Sequence, residues 1–240
     1  MSMRTLALIA ALSFLGFLVA CATIDQPGAT DGPVAAAPTP VVGARWVYRG
    51  REGFRMPVVW EETHEITAVG TTGISVRVTL KGPGVDYERD ELLSAPGVVR
   101  VGALMDIETR RFATPLLRYR YPLAPGATWN QWVDNFNERL NREGQINRYV
   151  RIGGWEKVRT PAGEFDALRM RVLMRLDDEE FWRGPTECNY LVYYAPDVGA
   201  MVRAEKNSHY WEKGDRRDGL GAVQSQHATV ELASYTRGVN

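Results

Sequence analysis

Leu168-Arg169-Met170-Arg171-Val172-Leu173-Met174-Arg175-Leu176 alternates long apolar side chains with arginine, broken only by Leu173 on the polar side. A period of two places successive side chains on opposite faces of an extended chain. The leucines, methionines and valine therefore line one face and the arginines the other. The segment reads as a half-buried antiparallel strand, with one face on a core and one on water. Ile74, Val76, Val78 and Leu80 alternate in the same way with Ser75, Arg77, Thr79 and Lys81. Noisier alternation runs through residues 45–49, 58–69, 145–158, 190–194, 200–206 and 228–235.

Between these runs lie Gly82-Pro83-Gly84, Pro96-Gly97, Pro125-Gly126, Thr160-Pro161-Ala162-Gly163, Gly184-Pro185 and Ala195-Pro196-Asp197. Proline presets the backbone at the second position of a turn and glycine accepts positive φ, so each of these can reverse the chain. Strands at this spacing predict an all-β domain with little helix. Its antiparallel sheet is strongly curved, from a half-barrel to a closed barrel. Residues 135–143 are the one segment that reads as either a helix or a polar hairpin tip. Gly43-Ala44-Arg45-Trp46 resembles Gly126-Ala127-Thr128-Trp129, which leaves open both a duplicated half-domain and chance.

Hydrophobic residues make up 45% of the chain and aromatics 10%, enough for a core in a single β domain over 41–240. The 29 basic and 29 acidic residues balance, so net charge supplies no attraction for nucleic acid, and none is expected as a partner. Ahead of the domain, Met1–Arg4 is short and basic, Thr5–Ala20 is almost wholly apolar, and the run closes on Leu18-Val19-Ala20-Cys21. The apolar run suits a signal peptide over 1–20 better than a membrane-spanning helix. This pattern resembles bacterial lipoprotein signal peptides. That resemblance implies lipidation of Cys21, cleavage before it, and a membrane held as partner through the anchor. Ala22 stands where an Asp would imply retention at the inner membrane, so the resemblance implies the outer membrane, facing the periplasm. Cleavage after Ala22, at a small-x-small site, is the alternative and would give a soluble periplasmic protein. Residues 21–40, rich in Pro, Ala, Gly and Thr, read as a disordered tether. With Cys21 lipidated, no intramolecular disulfide is expected for Cys188, and its apolar strand context predicts burial.

Three further segments run Tyr121-Pro122-Leu123-Ala124-Pro125-Gly126-Ala127-Thr128-Trp129, Thr160-Pro161-Ala162-Gly163-Glu164-Phe165-Asp166-Ala167, and Tyr194-Ala195-Pro196-Asp197-Val198-Gly199-Ala200-Met201-Val202. Together they resemble bacterial envelope β domains of unknown function, many of them lipoproteins. The likeness covers mainly the second half of the domain and implies a fold rather than a chemistry.

His64, His209 and His227 lack metal-site spacing, and no nucleophile elbow, phosphate-binding loop or dinucleotide fingerprint is present. Glu62 and His64 share a strand face and read as a solvated row. The acidic cluster at 86–91 lacks the glycine-centred calcium loop, and the one at 177–180 reads as a hairpin tip. No catalytic residue, metal or cofactor is expected. The candidate ligand or partner surface is the Arg169, Arg171 and Arg175 row, which suits anionic groups or acidic neighbours on the next strand, with Trp129 and Trp132. These two tryptophans, three apart, point to opposite faces of a regular strand. The seven tryptophans suggest either a pocket lining or core packing. The expected function is non-catalytic: binding an apolar or amphipathic envelope ligand, such as a lipid, or an envelope protein, through the concave face. A structural or assembly factor and a cell-wall enzyme are the alternatives.

Overall fold

The structure is a computed structural model that describes residues 32–53, 56–104, 108–177, 180–214 and 222–238. The expected signal peptide and Cys21 lie outside the described residues. Twelve strands follow one another: β1 Arg45–Glu52, β2 Val58–Gly70, β3 Gly73–Gly82, β4 Val85–Ala95, β5 Val98–Ala103, β6 Thr109–Leu117, β7 Thr128–Asn137, β8 Arg142–Thr160, β9 Gly163–Leu176, β10 Thr186–Ala195, β11 Ala200–Trp211 and β12 Val223–Thr236. Each pairs antiparallel with its neighbours in sequence, and β1 pairs with β12, so the sheet closes into an up-and-down barrel. Closure leaves no edge strand to pair with another chain.

The stretch that opens the sequence reading is β9, and its registers explain its alternation. Leu168, Met170, Val172, Met174 and Leu176 point inward and are buried, while Arg169, Arg171 and Arg175 point outward. Residues 138–141 turn between β7 and β8 with Asn141 at φ 51°, so the segment at 135–143 is a hairpin tip and not a helix. The outer face at mid-barrel carries Arg77, Glu88 and Asp90, joined by ion pairs of 3.1–3.4 Å, and Lys81 paired with Asp86. A barrel that spans a bilayer turns an apolar band outward. This one turns apolar rows inward and charged rows such as these outward, as a water-facing barrel does.

The two halves of the barrel repeat each other. Gly43 and Gly126, before β1 and β7, both have φ 81°; Gly73 and Gly163, opening β3 and β9, have 131° and 137°; Gly97 and Gly199, before β5 and β11, have 76° and 72°. Both Pro96-Gly97 and Pro196–Gly199 follow an alanine that ends a strand, β4 in one half and β10 in the other. The matched positive-φ turns favour a duplicated six-strand unit over chance.

An eight-strand barrel is just wide enough for its own side chains, so twelve strands leave a wider lumen. One side of it is packed by Phe112, Leu116, Trp129, Val133, Ile146 and Leu168, among others. The β6–β7 connection folds inward there, burying Leu123 completely and stacking Tyr119 and Tyr121 against Tyr194 at centroid distances of 5.1 and 5.9 Å. The β8–β9 register shifts between Ile152 and Trp155, and a bulge of this kind bends a hairpin. Its tip reaches the end of β12, where Ala162 N–H donates to Leu232 O at 3.1 Å and Phe165 meets Tyr235.

Part of the segment read as a tether also lies against the barrel. Ala35 exchanges two backbone hydrogen bonds with Leu123, at 2.9 and 2.8 Å, and the Trp155 indole N–H donates to Pro33 O at 3.1 Å. Three residues on, Pro38 sits over Gly199.

Candidate functional site

A cavity of about 610 Å³ occupies the lumen. This is within the range of small-molecule sites, roughly 300–1,000 Å³. One wall is apolar and comes from the second half of the barrel: Val150 on β8, Met170, Val172 and Met174 on β9, and Val192 on β10. The facing wall carries charge: Glu62 and His64 on β2, Arg89 and Glu91 on β4, and Arg118 just after β6. Arg148 on β8 and Lys206 on β11 add two cations from the second half of the barrel. Pro38–Val41, Pro96, Gly97, Pro196, Gly199, Arg237 and Gly238 also line the cavity. It therefore reaches the barrel end that bears the N-terminal segment.

Burial of charge at this wall is offset by pairing. Glu91 is almost fully buried, its side chain 1% exposed, and accepts from Arg89 Nε at 3.1 Å and an Arg118 terminal nitrogen at 2.9 Å. The backbone N–H of Ala103 adds a third donor at 3.3 Å. Burial alone would raise the Glu91 pKa, but the charges of Arg118, Arg89 and His64 outweigh it and bring it down to about 2. Glu62 meets His64 Nε2 at 2.6 Å, with Arg89 3.9 Å away. Burial opposes its ionisation too, yet the His64 hydrogen bond and the charges of His64, Lys206 and Arg89 hold its pKa far below the usual carboxylate range. The Tyr48 ring meets His64 edge-on at 5.3 Å, and burial pushes the Tyr48 and Tyr119 phenols upward.

Arg148 stands apart. Its guanidinium donates to Leu117 O at 2.7 Å and Arg118 O at 3.1 Å, and burial lowers its pKa to about 9.

Two carboxylates converging in a cleft raise the question of acid–base chemistry. A general acid needs a raised pKa, and both Glu62 and Glu91 are displaced the other way. Among the described residues no group of three or more potential metal ligands comes together.

The sequence-derived candidates fall elsewhere. Arg169, Arg171 and Arg175 lie on the outer face, away from the cavity. Arg169 pairs with Glu156 at 3.3 Å and Arg171 donates to Asn189 Oδ1 at 2.9 Å, each on an adjacent strand. Trp129 points inward, buried, its indole donating to Leu117 O at 3.2 Å. Trp132 points outward and is 60% exposed. Of the seven tryptophans only Trp46 lines this cavity. Cys188 is buried. Glu62 and His64 do share a face, but it is the inner one, so they are not a solvated row. Within the 86–91 cluster, Asp86, Glu88 and Asp90 face outward and Glu91 faces in.

The residues that sequence reading passed over carry one common signal: a charge in phase with an apolar row. Arg148 falls between Ile146 and Val150, and Lys206 between Ala204 and Ser208. Fold and site together define a class: a water-facing antiparallel barrel around a cavity lined by both apolar and charged side chains.

Two solved structures are similar to this chain. A presumed exported protein of Bacteroides fragilis with a YmcC-like fold gives a TM-score of 0.50 at 12% identity, over 85% of this chain and 100% of that one. A presumed lipoprotein of Parabacteroides distasonis gives 0.49 at 12% identity with the same coverage. At this identity the likeness concerns the fold. No protein-family model and no curated protein matches the chain.

Proposed function

We propose that this protein is a non-catalytic envelope lipoprotein that holds an apolar or amphipathic ligand inside its barrel. The observation that carries the reading is the cavity of about 610 Å³ with its apolar wall of Val150, Met170, Val172, Met174 and Val192. Liquid water takes about 30 Å³ per molecule, so the space equals roughly twenty waters, room enough for an alkyl chain. The cavity reaches the barrel end to which the N-terminal segment is fixed. From Cys21 to Gly32 a fully extended chain covers at most about 35–40 Å. An acylated Cys21 in the outer membrane would then keep that end within reach of the bilayer, a source of amphiphiles. Palmitate labelling of the chain against its Cys21→Ala variant tests the anchor.

The ligand reading is tested by displacement of a neutral fluorescent apolar probe, N-phenyl-1-naphthylamine, from the full chain. The Met170→Trp variant replaces a flexible thioether with a bulky ring in the cavity and is expected to weaken probe binding at least about tenfold while the barrel stays folded. Equal binding by both chains would place the probe elsewhere and refute the reading.

A second reading has its own observation. At the opposite barrel end Phe181 is 90% exposed, and Trp182, Trp211 and Val223 lie near it on neighbouring elements, also exposed. Such a group suits a protein partner. Cross-linking from residue 181 in intact envelopes tests it, and capture of lipid alone would refute it.

A further inference from the structure

We propose that the ligand carries an anionic head, a carboxylate or phosphate on an apolar chain, and that Lys206 and Arg148 receive it. This rests on the cavity-ligand reading and goes on to name the chemistry of the ligand's polar end.

Charges inside the lumen do not match. Arg237 and the exposed Asp197 add one charge of each sign to the lining, and within the barrel Arg89, Arg118, Arg148 and Lys206 face two carboxylates, Glu62 and Glu91. Those carboxylates are already engaged. Glu91 takes both Arg89 and Arg118, and Glu62 takes the His64 ring. Arg148 has only backbone carbonyls, which satisfy its hydrogen bonds but leave its charge without a counter-charge. Lys206 projects inward between Ala204 and Ser208, with Tyr190 and Ala228 as its cross-strand neighbours. Its charge reaches Glu62, yet among the described residues no acceptor takes a hydrogen bond from its Nζ. Arg148, buried, and Lys206, half-buried, thus face a largely apolar space in which the inner cations outnumber the inner carboxylates by two. Burying a charge in this way is costly unless a partner arrives, and an anion is the partner that fits.

The neighbouring wall sets the rest of the molecule. A small inorganic anion would leave Val150, Met170, Val172 and Met174 facing water. An apolar chain covers them, while its head stays at the cationic side. A cationic amphiphile would add like charge to the existing excess, and a neutral one would leave Lys206 as it is. The lumen is therefore complementary to an amphiphilic anion from end to end.

The test compares ligands of one chain length on the full chain by titration calorimetry: dodecanoate, dodecyl phosphate, dodecanol and dodecyltrimethylammonium, with inorganic phosphate and acetate as free heads. Dodecanoate and dodecyl phosphate are expected to bind at least about tenfold more tightly than dodecanol, and dodecyltrimethylammonium more weakly than dodecanol. The free heads are expected to bind at least about a hundredfold more weakly than their alkyl counterparts. Lys206→Met should remove most of the preference for dodecanoate and leave dodecanol binding unchanged, with Arg148→Met acting in the same direction. Equal binding of dodecanoate and dodecanol by the unaltered chain overturns the inference and leaves the cavity reading intact. Failure of every alkyl ligand to bind overturns both. Inorganic phosphate binding as tightly as dodecyl phosphate overturns the amphiphile in favour of a free-anion site. A preference undiminished in both variants overturns the assignment to Lys206 and Arg148. Should either variant fail to fold, the comparison of dodecanoate with dodecanol on the unaltered chain decides alone.

Discussion

Replacing Glu91 by glutamine removes one charge from the most buried ion cluster of the barrel and keeps the side chain's size. The carboxylate has Arg118 at 2.9 Å, Arg89 at 3.1 Å and the Ala103 N–H at 3.3 Å, with its side chain 1% exposed. Breaking such a cluster from one side leaves cations without a counter-charge, a loss measured elsewhere at about 3–5 kcal/mol. The depressed pKa of the same group points to a loss of the same size. Its pKa falls from the usual 4.5 to about 2 because Arg118, Arg89 and His64 overcome the opposing effect of burial. At 1.36 kcal/mol per unit this corresponds to roughly 3 kcal/mol. The sign follows from a depressed acid: the contribution is fully present above about pH 4.5 and is lost as pH falls toward 2.

Urea unfolding followed by tryptophan fluorescence at pH 7 is the assay. With a slope near 2 kcal/mol per molar, the midpoint of Glu91→Gln should fall by about 1.5 M. Repeated at lower pH, the gap between the two chains should narrow and close near pH 2, because the unaltered carboxyl is then protonated too. Glu62 titrates in both chains and drops out of the difference. A loss under about 1 kcal/mol at pH 7, or a gap as wide near pH 2 as at pH 7, would refute the pairing.

Two further outcomes are expected, one from the barrel's geometry and one from the proposed anchor. Trp129→Ala should cost about 3–5 kcal/mol of stability and Trp132→Ala no more than about 0.5, since one ring is in the core and the other in water; urea midpoints separate them, and equal losses would contradict the inward–outward placement. Membrane fractionation of cells expressing Cys21→Ala should move the protein from the membrane to the soluble periplasmic fraction, and unchanged membrane association would count against the anchor.

The barrel was legible because water-facing sheets print their two faces on the sequence. The row of β9 from Leu168 to Leu176 and that of β3 from Ile74 to Leu80 lie inward as their alternation requires. Closure was less legible, since pairing β1 to β12 joins Trp46 to Tyr235, residues with no local signal in common. The paired positive-φ turns at Gly97 and Gly199 show why the faint Gly43 and Gly126 echo was worth noting. The site was barely legible. A visible arginine row on β9 drew attention to the outer face, where its members meet neighbours such as Glu156 and Asn189. The inner charges sit singly, one or two to a strand, and only closure gathers them. Alternation did hold the clue, because Arg148 and Lys206 occupy inward positions of β8 and β11 where an apolar residue would serve packing better. The contact of residues 33–40 was hidden for another reason. It rests on backbone hydrogen bonds at Ala35 and proline surfaces, which composition reads as tether.

The central claim is that the lumen holds an amphiphile in its native setting. Native mass spectrometry of the full chain recovered from its own envelope, released under conditions that keep the barrel folded, tests this most directly. The account predicts one bound anionic amphiphile per chain, lost from the Met170→Trp variant recovered in parallel. A chain that repeatedly carries no added mass, even after incubation with an extract of envelope lipids, would contradict it.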